Sequence, residues 1–111
     1  MTDLVLTLKP QLLHNPDLDL RYAIPDILAS RSHGNIQGAG FDYEEQEDGA
    51  AALLTIFLCV SDLPAALSII SAVLYSETVL ENQLAPAAAL YLQEGAQLTL
   101  LNLGDEKTWT L

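Results

Sequence analysis

Apolar and polar positions alternate at the start of the chain, where Leu4, Leu6 and Leu8 share one side of a two-residue repeat. That period predicts a first strand, and Lys9-Pro10 ends it because the residue before proline is held away from regular pairing geometry. Asn15-Pro16-Asp17 then carries a helix-start signature: a capping amide, proline at the first position and an acid favourable to the dipole. Leu20, Ile24, Ile27 and Leu28 follow at helical spacing; Pro25 predicts a kink or a later start, and Gly34 a stop. Residues 35–43 read as a second strand in which Gly38 and Gly40 mark a bulge or a close approach. Residues 51–60 are almost continuously apolar, the pattern of a central strand buried on both faces. Asp62 caps a second helix over Leu63–Ser76, with Ala66, Ile69, Ile70, Val73 and Leu74 on one face and Ser68 and Ser71 marking a mildly polar side.

Beyond that helix the period weakens. Residues 78–80 predict a short strand and 86–89 a helical turn, while 89–93 and 96–103 read as a hairpin joined at Glu94-Gly95. Residues 108–111 suggest a terminal edge strand. The first eighty residues give the order β-α-β-β-α-β. The expected class is therefore α+β: an antiparallel sheet with two helices on one face, a ferredoxin-like core with an added C-terminal hairpin, in a single domain spanning 1–111.

Composition narrows the functions open to such a domain. Half of the 111 residues are hydrophobic and 17% are charged, which excludes the disordered class. Four basic residues stand against fifteen acids, a net charge of -11. That field opposes nucleic acid and anionic membrane surfaces, and favours encounter with basic proteins. One cysteine allows no internal disulfide and fits a reducing compartment, and Met1-Thr2-Asp3-Leu4 lacks the features of a signal peptide. The apolar stretch 50–75 is broken by Ser61-Asp62 and Pro64, so it does not read as a membrane span. A cytoplasmic protein is expected.

One local feature has a chemical character of its own. Asp42, Glu44, Glu45, Glu47 and Asp48 surround Tyr43 within seven residues, just before Gly49, and no Lys or Arg lies between Arg31 and Lys107. As a calcium loop counted from Glu44 it has glycine sixth, but Gln46 stands third and Thr55 occupies the twelfth place, where a bidentate glutamate is required. No metal or cofactor is expected. Cys59 sits in an apolar run within a negative field, and both effects oppose thiolate formation, so it reads as a buried structural residue. His14 and His33 have no metal-ligand spacing, the glycines from Gly34 to Gly40 lack the rest of any phosphate-loop pattern, and no nucleophile elbow is present. Tyr91 and Trp109 are candidate interface anchors.

These observations predict a small acidic, non-catalytic binding protein that docks on and neutralises a basic protein partner. An immunity-type inhibitor of a toxin, such as a nuclease, has this character. Asp42, Tyr43, Glu44, Glu45, Glu47 and Asp48 would form the contact, with the acids steering and Tyr43 anchoring. The alternative is a ferredoxin-like homodimer with a ligand-binding or regulatory role, built by packing sheets or apolar helices together. An enzyme using His14, His33 and carboxylates would need a constellation that the sequence does not display.

Overall fold

The structure, a computed structural model, describes residues 1–15, 17–46, 52–103 and 109–110. Nine strands and two α-helices occur among them: β1 (Thr2–Leu8), α1 (Leu20–Arg31), β2 (Ile36–Glu44), β3 (Leu53–Val60), α2 (Leu63–Ser76), β4 (Thr78–Val79), β5 (Asn82–Gln83), β6 (Ala88–Glu94), β7 (Gln97–Leu100), β8 (Asn102–Leu103) and β9 (Trp109–Thr110). The fold is α+β. Its main sheet is five-stranded and antiparallel in the order β2-β3-β1-β6-β7. β1 is the central strand, paired on one side with β3 (Leu6 opposite Ile56) and on the other with β6 (Leu6 opposite Leu90).

The two-residue repeat explains where the core lies. Leu4, Leu6 and Leu8 join Leu54, Ile56, Leu58, Val60 and Leu90 on one face of the sheet. Leu20, Ile24 and Leu28 of α1 and Ala66, Ile70, Val73 and Leu74 of α2 pack into the same cluster. Both helices therefore cover this face. α2 begins as its sequence predicts, with the Asp62 carboxylate accepting from the Ala65 N–H at 3.2 Å. Ser71, however, is buried, its hydroxyl donating to the Leu67 carbonyl at 2.7 Å, so only Ser68 of the two serines faces solvent.

Four expectations change. α1 starts at Leu20, after the Asn15–Asp17 signature; Asp17 caps a preceding turn by accepting from the Asp19 N–H at 2.8 Å, and Pro16 lies outside the described residues. Pro25 does not delay α1, which starts at Leu20 and runs through it; the helix tolerates one missing N–H because its buried face holds it to the sheet. The strand beside β1 is β6, not 78–80: Thr78-Val79 pairs with Asn82-Gln83 in a separate two-stranded ribbon. The run predicted as strand over 96–103 divides at Leu101, which is buried in the core, and β8 pairs with β9 instead of extending the main sheet. Of the expected terminal strand, Thr108, Leu111 and the Trp109 side chain lie outside the described part.

The β4–β5 ribbon turns without a glycine. Leu80 (φ 47°) and Glu81 (φ 70°) both take left-handed backbone, the geometry of a type I′ turn normally written Asn-Gly. Asn82, fully buried, holds it in place. Its amide donates to the Leu80 carbonyl at 3.0 Å and to the Asn15 carbonyl at 2.6 Å, and its oxygen accepts from the Asn15 N–H at 2.6 Å. Asn82→Ala strands the Asn15 backbone groups and frees a strained turn; a loss of about 2–3 kcal/mol in urea unfolding is expected. A loss below about 0.5 kcal/mol, the ordinary surface value, would refute the latch.

Arg31 and Glu77 join the end of α1 to the end of α2 through an exposed ion pair at 2.5 Å. Hydrogen bonding to Arg31 holds the Glu77 carboxyl below its ordinary pKa, so the pair contributes above the carboxylate range and its contribution is lost as acid protonates Glu77.

Candidate functional site

β2 is an edge strand, and a bulge decides which of its side chains face outward. Ile36 opposes Val60 and Gly38 opposes Leu58, so even-numbered residues begin on the helix-covered face. Between Gly38 and Phe41 the register shifts by one, after which Phe41 opposes Ile56 and Tyr43 opposes Leu54. An extra residue in one strand transfers every later side chain to the other face. Asp42 and Glu44 thereby leave the core side and stand on the open face, opposite Thr55 and Leu53. Gly40, at φ +115°, supplies the backbone geometry.

Gly38 has a different reason to lack a side chain. A Cβ there would lie 2.9 Å from Pro25 Cβ, where α1 crosses β2. Both groups are held by backbone, so Gly38→Ala is expected to destabilise by about 1–3 kcal/mol in chemical denaturation. A neutral substitution would show that α1 moves freely over β2.

The acidic segment is thus divided. Asp42 and Glu44 are exposed on the open face, and Glu45 is exposed just past the strand. Tyr43 points the other way. It packs against the core and against Phe41 (ring centroids 6.1 Å apart), its hydroxyl is buried without a hydrogen-bond partner, and it does not stand beside Asp42 and Glu44 as an exposed anchor. Among the described residues the exposed rings are Phe41 and Tyr22, which meet edge to face at 5.8 Å. The Arg21 guanidinium lies 4.8 Å from the Tyr22 centroid and 5.2 Å from that of Phe41. Gln46 exchanges two hydrogen bonds with Gln11, tying the entrance of the hairpin to the segment after β1. Glu47, Asp48 and Gly49 lie outside the described residues.

Two features had no signal in the sequence. The first is a cavity of about 420 Å³ at the end of β1, lined mainly by Leu8, Leu13, Leu18, Leu20 and Leu54, with Tyr43 in its wall. The second is the face of the sheet that the helices leave open. Val5, Phe57 and Tyr91 form its centre, and Leu98 and Leu100 are half exposed at its β7 edge. β3 is consequently not covered by helices on both faces. Cys59 lies on this open side, half-buried, with its sulfur 3.7 Å from that of Met1. The outward positions of α2 include Ala65, Ser68, Ala72 and Ser76, so the apolar surface the helices leave outside is not on α2. It lies on the sheet.

His14 and His33 are both exposed, at opposite ends of the α1 segment in sequence. No group of three His, Cys, Asp or Glu among the described residues is placed to hold a metal ion, and no helix among them is long and apolar enough to cross a membrane. No protein-family model matches the chain, and no curated protein or solved structure shows significant similarity to it.

Proposed function

We propose that this chain is a small acidic, non-catalytic binding domain that docks on a basic protein partner and neutralises it, in the manner of an immunity-type inhibitor of a toxin. The observation that carries the reading is the bulge. It sets Asp42 and Glu44 on the same, open face of an edge strand, both exposed, in a stretch of 75 residues without a Lys or Arg. Carboxylates so placed focus a negative field and speed the approach of a cationic surface. Glu45 extends the same charge, and Glu47 and Asp48 add to it by sequence. Phe41, Tyr22 and Tyr43 all lie on the helix-covered side of β2, so the proposed contact rests on the carboxylates and has no aromatic anchor beside them.

The fold that carries this edge is read as a ferredoxin-like core in which β6 serves as the fourth strand and β7 extends the sheet; the order β2-β3-β1-β6, with each helix joining strands separated by one other, supports that reading. The cytoplasm is the proposed compartment, on the single unpaired cysteine. The test is the rate and salt dependence of association with the basic partner after the acids of the β2 edge are reversed in charge.

A further inference from the structure

We infer that the open face of the sheet is the interface of a homodimer, in which a second copy packs face to face about a two-fold axis running along β1. This goes beyond partner binding at the β2 edge and uses different residues. Val5 is 3% exposed although it lies outside the helix-covered core, because Phe57 and Tyr91, its cross-strand partners, flank it. Next to Tyr91 stands Leu100, 58% exposed. Next to Phe57 stands the bulge, Ala39 and Gly40. One row across the sheet therefore reads Leu100, Tyr91, Val5, Phe57, Ala39-Gly40, with β1 at its centre.

This row is complementary to itself. A two-fold axis along β1 lays β7 over the partner's β2 and β6 over its β3. Val5 then lies on the axis beneath its flanking rings, Tyr91 meets Phe57, and Leu100 falls where the other chain has its smallest residues. Aromatic pairs and a leucine over glycine fill the space between two sheets packed about 10 Å apart. Five strands at about 4.8 Å and six residues at about 3.3 Å give each face roughly 500 Å², so the pair buries on the order of 1,000 Å², the lower threshold for a biological interface and the size of a weak, reversible one. The same axis keeps the Asp42 and Glu44 sets of the two copies on opposite edges, roughly 20 Å apart and beyond the screening length. Both acidic edges remain at the rim. A basic occupant is the poorer fit, because the acids stand at the border of this face while its centre is apolar. The cost of the arrangement is Asp3, which lies on β1 and faces its own copy across the axis.

Sedimentation and light scattering across concentration test the dimer. A monomer–dimer equilibrium is expected that tightens with added salt and with Asp3→Asn, since both relieve like-charge repulsion. This is opposite in sign to the salt dependence of a basic partner, so the two proposals fail independently. Leu98→Asp with Leu100→Asp should weaken self-association by about tenfold or more while leaving the far-ultraviolet circular dichroism unchanged, because both side chains are already exposed. A chain that stays monomeric at high concentration and high salt, or a dimer indifferent to the two leucines, would overturn the inference.

Discussion

Replacing Asp42, Glu44 and Glu45 together with lysine should slow association with a basic partner by about tenfold to a hundredfold at low ionic strength. It should also flatten the salt dependence of the rate. The three reversals change the net charge of -11 by six units, to -5, and concentrate that change on one edge. The effect belongs to encounter rather than to folding, because all three side chains are exposed and β2 keeps its ladder to β3. Unfolding free energy should therefore stay within about 0.5 kcal/mol of the parent. Stopped-flow mixing over a salt series separates steering from contact: loss of steering lowers the on-rate at low salt and converges with the parent at high salt. An unchanged rate and slope would sink the proposed function, and an effect confined to the off-rate would transfer the acids from steering to direct pairing.

Leu6→Ala should be the most destabilising single change in the core. Leu6 is fully buried at the middle of the central strand, between Ile56 and Leu90, which are equally buried. β1 is hydrogen-bonded on both sides, so the backbone cannot collapse into the space left behind, and the penalty lies toward the upper part of about 2–5 kcal/mol. Set against a total stability of about 5–15 kcal/mol, this lowers the thermal midpoint by on the order of 10–20 °C. Urea unfolding should show a lower midpoint with an unchanged slope, as expected when a cavity forms and the denatured state is unaltered. A loss under about 1 kcal/mol, comparable to a tolerated volume change, would mean that the core is centred elsewhere.

Much of the local structure was legible because it depends on short-range chemistry. The repeat at Leu4, Leu6 and Leu8 gave β1 and its inward face; Asp62 and the spacing of Ala66, Ile70, Val73 and Leu74 gave α2 and its buried side. Gly38 and Gly40 announced both a close approach and a bulge, and each proved to be one of the two. The candidate site was legible only as a cluster of acids. Its division into Asp42 and Glu44 on one side and Tyr43 on the other follows from alternation, but the side each faces was fixed by the one-residue slip at Gly40. That slip is a property of the β2–β3 pairing.

The remaining differences arise where a short segment has several partners of similar merit. Thr78-Val79 and Ala88–Glu94 both satisfy a strand pattern, and only closure of the chain around Asn82 and Asn15 decides which lies beside β1. The turn at Leu80-Glu81 carries no glycine, because its left-handed backbone is held by the adjacent Asn82, itself anchored to the distant Asn15, and not by its own propensity. From its residues alone, this chain determined its elements, its capped helix, its apolar face and a strongly negative field. The tertiary structure decided which sheet face the helices cover, and so which apolar side chains remain outside. Alternation gives a strand two sides, but only the path of the crossover connections chooses between them.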